Sequence, residues 1–197
     1  MEKGKIIFLN GVSSAGKTTL AKTLQNRLSE PFYLLSNDMF CDMAPEKFWD
    51  INSDETGSVA LSGLHHTIKT FSDIGINSIV DHVLLKRQGE KYNKYNIDNL
   101  DNMEECVMLL HDYPVLFVHV TCPLEELRRR EKERGDRDIG QGESQLLELS
   151  PQSTYDITVD TFLDSTEECA DKIIEFLDYP EKFTAFKTLW EELQNKN

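Results

Sequence analysis

The chain has 197 residues, with 21 basic against 35 acidic side chains and a formal net charge of −14. That length suits one α/β domain, and so negative a body is repelled by phosphate backbones, which argues against nucleic acid or an anionic membrane as partner. Hydrophobic residues make up 39% of the chain, enough for a core, yet no apolar run reaches the length of a secretory leader or a membrane span.

The predicted elements alternate between short apolar runs and longer helical patterns. Residues 5–10 read as a first strand and 18–28 as an amphipathic helix, with Leu20, Ala21, Leu24 and Leu28 on one face. A second strand covers 31–35. The stretch 46–57 is polar and weakly periodic and reads as a substrate loop, ahead of a helix at 61–71. A third strand follows at 77–85, a helix at 99–111 and a nearly all-apolar strand at 115–121, the pattern of a strand buried on both faces. A charged helix at 123–134 opens on a proline. It leads into a second weakly periodic stretch, 135–154, which reads as a lid. A last strand at 155–160 precedes a helix at 165–177, where Ser165 and Glu168 stand at capping-box spacing. Beyond Pro180 a final amphipathic helix runs over 181–194, its stripe of Phe183, Phe186, Leu189, Trp190 and Leu193 read as core packing, with a dimer face as the alternative. Five strands alternating with helices predict a five-stranded parallel sheet covered on both faces, in one domain spanning 1–197.

Residues 11–18, GVSSAGKT, fit G-x-x-x-x-G-K-[ST] between an apolar strand and an amphipathic helix. In that context the loop amides and the helix N-terminus cradle phosphates, the lysine reaches the β- and γ-phosphates, and the threonine hydroxyl serves Mg²⁺. Gly11, Ser13, Ser14, Ala15, Gly16, Lys17, Thr18 and Thr19 are therefore the candidate nucleotide-binding residues. Asp81 ends the apolar run Ile79-Val80 at the C-terminal edge of a strand, where open α/β sheets bind ligands, and is the candidate Mg²⁺ acid beside Thr18. Asp38 lies just past the second strand and could accept the proton of a substrate hydroxyl during phosphoryl transfer; an Asx-turn residue is the alternative. Residues 128–137 carry six basic against three acidic side chains. Arg130 and Arg134 share a helix face and Arg137 lies beyond, a set able to neutralise transferring phosphates.

Other groups carry less. The pair His65-His66 points to different helix faces and does not suggest a metal site, and His82 reads as a packed strand-end histidine. Tyr92 and Tyr95, with Lys91 and Lys94, read as a surface loop. Cys41, Cys106, Cys122 and Cys169 show no metal-binding spacing and read as buried free thiols, which fits a reducing cytoplasm.

The loop GVSSAGKT, the segment 38–45, the run 79–83, the string from Arg130 to Arg137 ending in RGDR, Gln145, and YDITVDT at 155–161 together resemble the chloramphenicol phosphotransferase family, over roughly residues 5–176. The resemblance implies an adenylate-kinase-like P-loop fold with an arginine-rich lid at about 128–154. It implies ATP-dependent phosphorylation of a hydroxyl on a small molecule, an antibiotic among the acceptors. It places the catalytic aspartate on Asp38, with Lys17, Arg134 and Arg137 beside the transferring group, and Arg130 and Thr161 at the nucleotide. The chain departs from the family at Ser36 and Asn37, where the family has glycine and valine, at Ser150 where it has histidine, and throughout 46–60. Two other readings stay open: a nucleoside, nucleotide or other metabolite kinase, and a nucleotide-switched regulatory ATPase.

Overall fold

The computed structural model describes residues 2–85, 102–134, 140–149 and 154–195, with Arg134 described by its backbone alone. Five parallel strands run β1 (Ile6–Asn10), β2 (Tyr33–Ser36), β3 (Ser78–His82), β4 (Val115–Thr121) and β5 (Ile157–Asp160), in the sheet order β2-β3-β1-β4-β5. The central position of β1 explains its composition. All five of its residues are buried, so an alternating polar face would have no solvent to meet.

Side chains of β1 alternate between two cores, as the pleat requires. Ile7 and Leu9 pack with Leu20, Ala21 and Leu24 of α1 (Lys17–Arg27) and with Cys169, Ala170 and Ile173 of α7 (Thr166–Phe176). Ile6 and Phe8 face the other way. They meet α3 (Glu46–Asp73), α4 (Asn102–Leu110) and α8 (Ala185–Gln194) through Leu64, Ile68, Cys106, Val107, Phe186 and Leu189. Phe186 sits edge-on to Phe117, ring centres 4.9 Å apart. The last helix therefore spends its apolar stripe on the core, and the dimer-face alternative loses the surface it rested on. A 3₁₀ turn at Pro180–Lys182 precedes it, so α8 starts later than the periodicity predicts.

One element is corrected. The stretch 46–57 is no loop: it forms the first half of α3, a helix broken only at Asn52 (φ −156°, ψ 87°), whose side chain caps the second half at Glu55 N–H. Its polarity reflects exposure, because an exposed helix needs no apolar face. Within the predicted lid, Gln141–Leu146 form a helix, α6, which packs beside α5 (Leu124–Arg134). The capping box of α7 forms as its spacing predicts, Ser165 Oγ accepting from Glu168 N–H. Cys106, Cys122 and Cys169 are buried free thiols, but Cys41 is only half-buried, at the end of the short helix α2 (Asn37–Cys41). Among the described residues no helix is long and apolar enough to cross a membrane.

Candidate active site

Sheet register brings the chemistry to one edge. Leu9 of β1 pairs with Asp81 of β3, which pairs in turn with Ser36 of β2, so the phosphate loop, Asp81 and the segment carrying Asp38 leave the sheet side by side. Ser36 caps α2 by accepting the Met39 N–H, and so fixes the turn on which Asp38 stands, exposed. A cavity of about 740 Å³ is lined by Ser13, Ser14, Gly16, Lys17, Thr18, Thr19, Asp38, Asp81, Arg130 and Thr161, among others.

The phosphate loop is strained and packed. Ser14 takes φ 63°, the left-handed region that non-glycine residues rarely occupy, and its buried hydroxyl has no partner. Lys17, 6% exposed, donates to the Val12 carbonyl at 2.9 Å. Gly11 has a reason that sequence reading did not supply: a Cβ there would stand 2.2 Å from the Val120 carbonyl of β4. Thr18 Oγ1 donates to Asp81 Oδ2 at 2.6 Å, joining the two candidate Mg²⁺ residues, and Asp81 is only 8% exposed.

The arginine helix divides its charges. Arg128 makes paired bonds to Glu143 of α6, and Arg129, itself exposed, binds Glu126 and Glu133. Hydrogen bonds from Arg129 and Arg130 pull the Glu126 carboxyl down to about 2. Arg128, Arg129 and Arg130 of the basic island are thus each paired with an acid, Glu126 and Glu143 from outside it and Glu133 from within it. Arg130 alone of the three reaches the loop. Its Nη1 donates to Thr161 Oγ1 at 2.9 Å, its Nη2 to the Thr161 carbonyl at 3.0 Å, and its Nε to Glu126 at 2.7 Å. Thr161 Oγ1 in turn donates to the Ala15 carbonyl at 2.8 Å. Arg130 and Thr161 clamp the phosphate loop to the end of β5. Arg137 lies outside the described residues, as do Tyr92, Tyr95, Lys91, Lys94 and Ser150, and the side chain of Arg134 is likewise not described.

The cavity is also lined by Asn37, Cys41, Trp49, Gly57, Leu61, Val83 and Leu85. Among the described lining residues the only basic side chains are Lys17 and Arg130, both at the phosphate loop. Burial, then the charges of Asp38 and Asp42, raise the Cys41 thiol above its ordinary value, so it is poorly suited to act as a nucleophile.

Three features escaped sequence reading. Asn10 pins the segment after β3, its Nδ2 donating to the Leu84 carbonyl at 3.0 Å while its Oδ1 accepts from Leu84 N–H at 2.7 Å. Glu131, 1% exposed, accepts the N–H groups of Gly140 and Gly142 at 2.9 and 2.7 Å and so holds α6 to α5. Beneath Asp81 lies a buried chain: Ser62 Oγ donates to Glu105 at 2.7 Å, His65 Nδ1 to Glu105 at 2.9 Å, and the Nε2 atoms of His65 and His82 stand 2.9 Å apart. Glu105 had one visible signal, a carboxylate set between Met103 and Cys106 on the apolar side of its helix. His82 is, as expected, a packed strand-end residue, 0% exposed.

A family profile described as "Chloramphenicol phosphotransferase-like protein" matches residues 4–178. The Mycobacterium tuberculosis (strain H37Rv) protein named "Putative O-phosphotransferase Rv2636" is 29% identical over 199 aligned positions, covering 89% of this chain and 83% of that protein. Among solved structures, the APS kinase CysC of M. tuberculosis, in complex with AMPPNP and APS, superimposes with a TM-score of 0.64 at 17% identity, covering 90% of this chain and 99% of that one. A sugar kinase from Janibacter sp. does so at 0.62 and 22%, covering 92% and 99%. At those identities the structures speak for the fold, that of the nucleotide-binding P-loop kinases. By the match over nearly its whole length, the chain belongs to the chloramphenicol phosphotransferase-like family and, with it, to the small-molecule phosphotransferases.

Proposed function

We propose that the protein transfers the γ-phosphate of Mg·ATP to a hydroxyl of a neutral small molecule that has an apolar face. One observation carries this reading. The cavity that is lined by Lys17, Thr18, Asp81 and Arg130 is lined as well by Asp38, Trp49, Leu61, Val83 and Leu85, and among its described lining residues the only basic side chains are Lys17 and Arg130. An acceptor bearing its own phosphate, such as the APS held by the M. tuberculosis kinase, would need cations besides those two; Lys47 and Lys69 do not line the cavity.

The residues present fit the nucleotide and its cation. The loop's buried, unpartnered Ser14 hydroxyl and its inward lysine suit a polyphosphate, and Thr18 Oγ1 beside Asp81 Oδ2 offers hard oxygens for Mg²⁺. Mg²⁺, when bound, would neutralise charge on the β- and γ-phosphate oxygens. Lys17 would leave the Val12 carbonyl for those oxygens. Asp38 would accept the proton of the acceptor hydroxyl as its oxygen bonds to the γ-phosphorus and the bond to ADP breaks. Arg130, held by Glu126 and Thr161, would keep the loop in shape throughout.

The test is a panel of hydroxylated antibiotics (chloramphenicol included), nucleosides and sugars, incubated with Mg·ATP and followed by the mass gain of one phosphoryl group. Asp38→Asn is expected to bind ATP as before and to lose about 10²–10⁴-fold in turnover. Turnover at the wild-type rate in that variant would remove Asp38 from the reaction. A protein inert on the whole panel would favour the switch reading.

A further inference from the structure

The phosphate loop is covered by α6, and one residue of that helix does more than cover it. A Cβ on Gly142 would stand 3.0 Å from the Ser13 carbonyl, so the helix backbone rests directly on the loop. Gln145 follows three residues later on the same face. Its Oε1 accepts the Ser13 backbone N–H at 2.7 Å. The donor settles which end of the amide lies there, because an N–H can bond only to the oxygen. The Nε2 group, with two hydrogens, is then the free end. Gln145 lines the cavity, and among the described residues nothing accepts from its nitrogen.

Lys17 Nζ binds the Val12 carbonyl, the other end of the same peptide group whose N–H holds Gln145. The two side chains therefore straddle one peptide unit at the entry of the loop. The later loop amides, which open α1, cradle the phosphates nearer the nucleoside, whereas the lysine serves the β- and γ-phosphates. We propose that Gln145 is a phosphate-binding residue of the transfer reaction, its Nε2 donating to a non-bridging oxygen of the γ-phosphate while Oε1 stays anchored on Ser13. The proposal rests on the Mg·ATP phosphotransferase reading above. The lid thereby takes part in the chemistry, since α6 brings a neutral donor to the group in transit, where charge spreads over the equatorial oxygens.

The contact exists only when a γ-phosphate is present, and that makes it separable from a docking role. Two full-length variants serve. Gln145→Glu keeps an acceptor for Ser13 N–H but has no donor, and Gln145→Met is neutral and has neither. Calorimetric dissociation constants are measured for Mg·AMPPNP and Mg·ADP with each. The expected result is a fall of about tenfold or more in the preference for AMPPNP over ADP in both variants, the size of a lost hydrogen bond to a charged group. If both nucleotides weaken in parallel, or neither changes, the ratio is preserved and the proposal is overturned, leaving Gln145 as a docking contact. If the unaltered protein binds neither nucleotide, the phosphotransferase reading falls first and this one with it.

Discussion

Arg130 illustrates how a single side chain changes meaning between sequence and structure. In the sequence it is one of three consecutive arginines; in the fold it is the one that joins three chain segments, through Glu126, Thr161 and, at 3.4 Å, the Ser14 carbonyl. Removing it leaves the loop tied to the end of β5 only through Thr161 Oγ1 and the Ala15 carbonyl. Arg130→Ala is expected to weaken Mg·ATP binding about tenfold and to cost roughly 1–3 kcal/mol of stability, since its bonds to Thr161 and Glu126 are charge-assisted. Titration of the nucleotide and chemical denaturation would measure the two. Arg129→Ala on the exposed face, by contrast, is expected to leave the denaturation midpoint essentially where it is. Gly11 is legible as part of the motif, but the collision that forbids any larger residue needs Val120, 109 positions away in the chain. Gly11→Ala is expected to abolish nucleotide binding, because the atom in the way is main chain and cannot swing aside.

At the scale of elements, α5 and α6 act as a pair. Glu131 is buried and serves two amides, Gly140 and Gly142, while Arg128 and Glu143 tie the exposed side of the same two helices. Periodicity could not reveal this. Within EELRRREKER a glutamate turned inward looks like the glutamates turned outward, and the inward choice depends on glycines that follow nine and eleven residues later. Glu131→Ala is expected to leave two amides unpartnered and to loosen α6 from the loop. Protection of the 140–146 amides from hydrogen exchange should fall, while that of β1 and β4 stays as it was. The first half of α3 was missed for the complementary reason: an exposed helix offers no hydrophobic stripe to read, and Asn52 interrupts what periodicity there is.

Across the whole molecule the charge is divided by position. Among the described residues the buried charged side chains are few and each has a defined partner: Lys17 with the Val12 carbonyl, Asp81 with Thr18, Glu131 with two amides, and Glu105 with His65 and Ser62. For Glu105, burial raises the carboxyl, but the hydrogen bonds from His65 and Ser62 outweigh it and hold it below its ordinary value. For His82, burial and then the charge of His65 push the imidazole well below its ordinary 6.5. A depressed value means that the unfolded chain takes up the proton first. The stability due to a neutral His82 is therefore fully present above about pH 6.5 and drains away as the pH falls below it. His119, lowered by burial, adds in the same direction. The expected outcome is a melting temperature that holds from pH 8 to 7 and declines between pH 6.5 and 5. A His82→Gln variant should show a shallower decline over that interval.

Local pattern was enough to specify the strand–helix alternation, the all-apolar β1 and β4, the phosphate loop with Lys17 and Thr18, and the strand-end acid Asp81. Each of these is set by the period of a strand or by a loop whose glycines and lysine stand at fixed offsets. Folding in three dimensions was needed to select which arginine reaches the loop, to deny Gly11 a side chain, to bring Glu105 and His65 together under His82, and to turn the Gln145 amide onto Ser13. Those facts join positions 17 to 132 residues apart, and the choice among chemically equal side chains is made by which of them the packing turns inward.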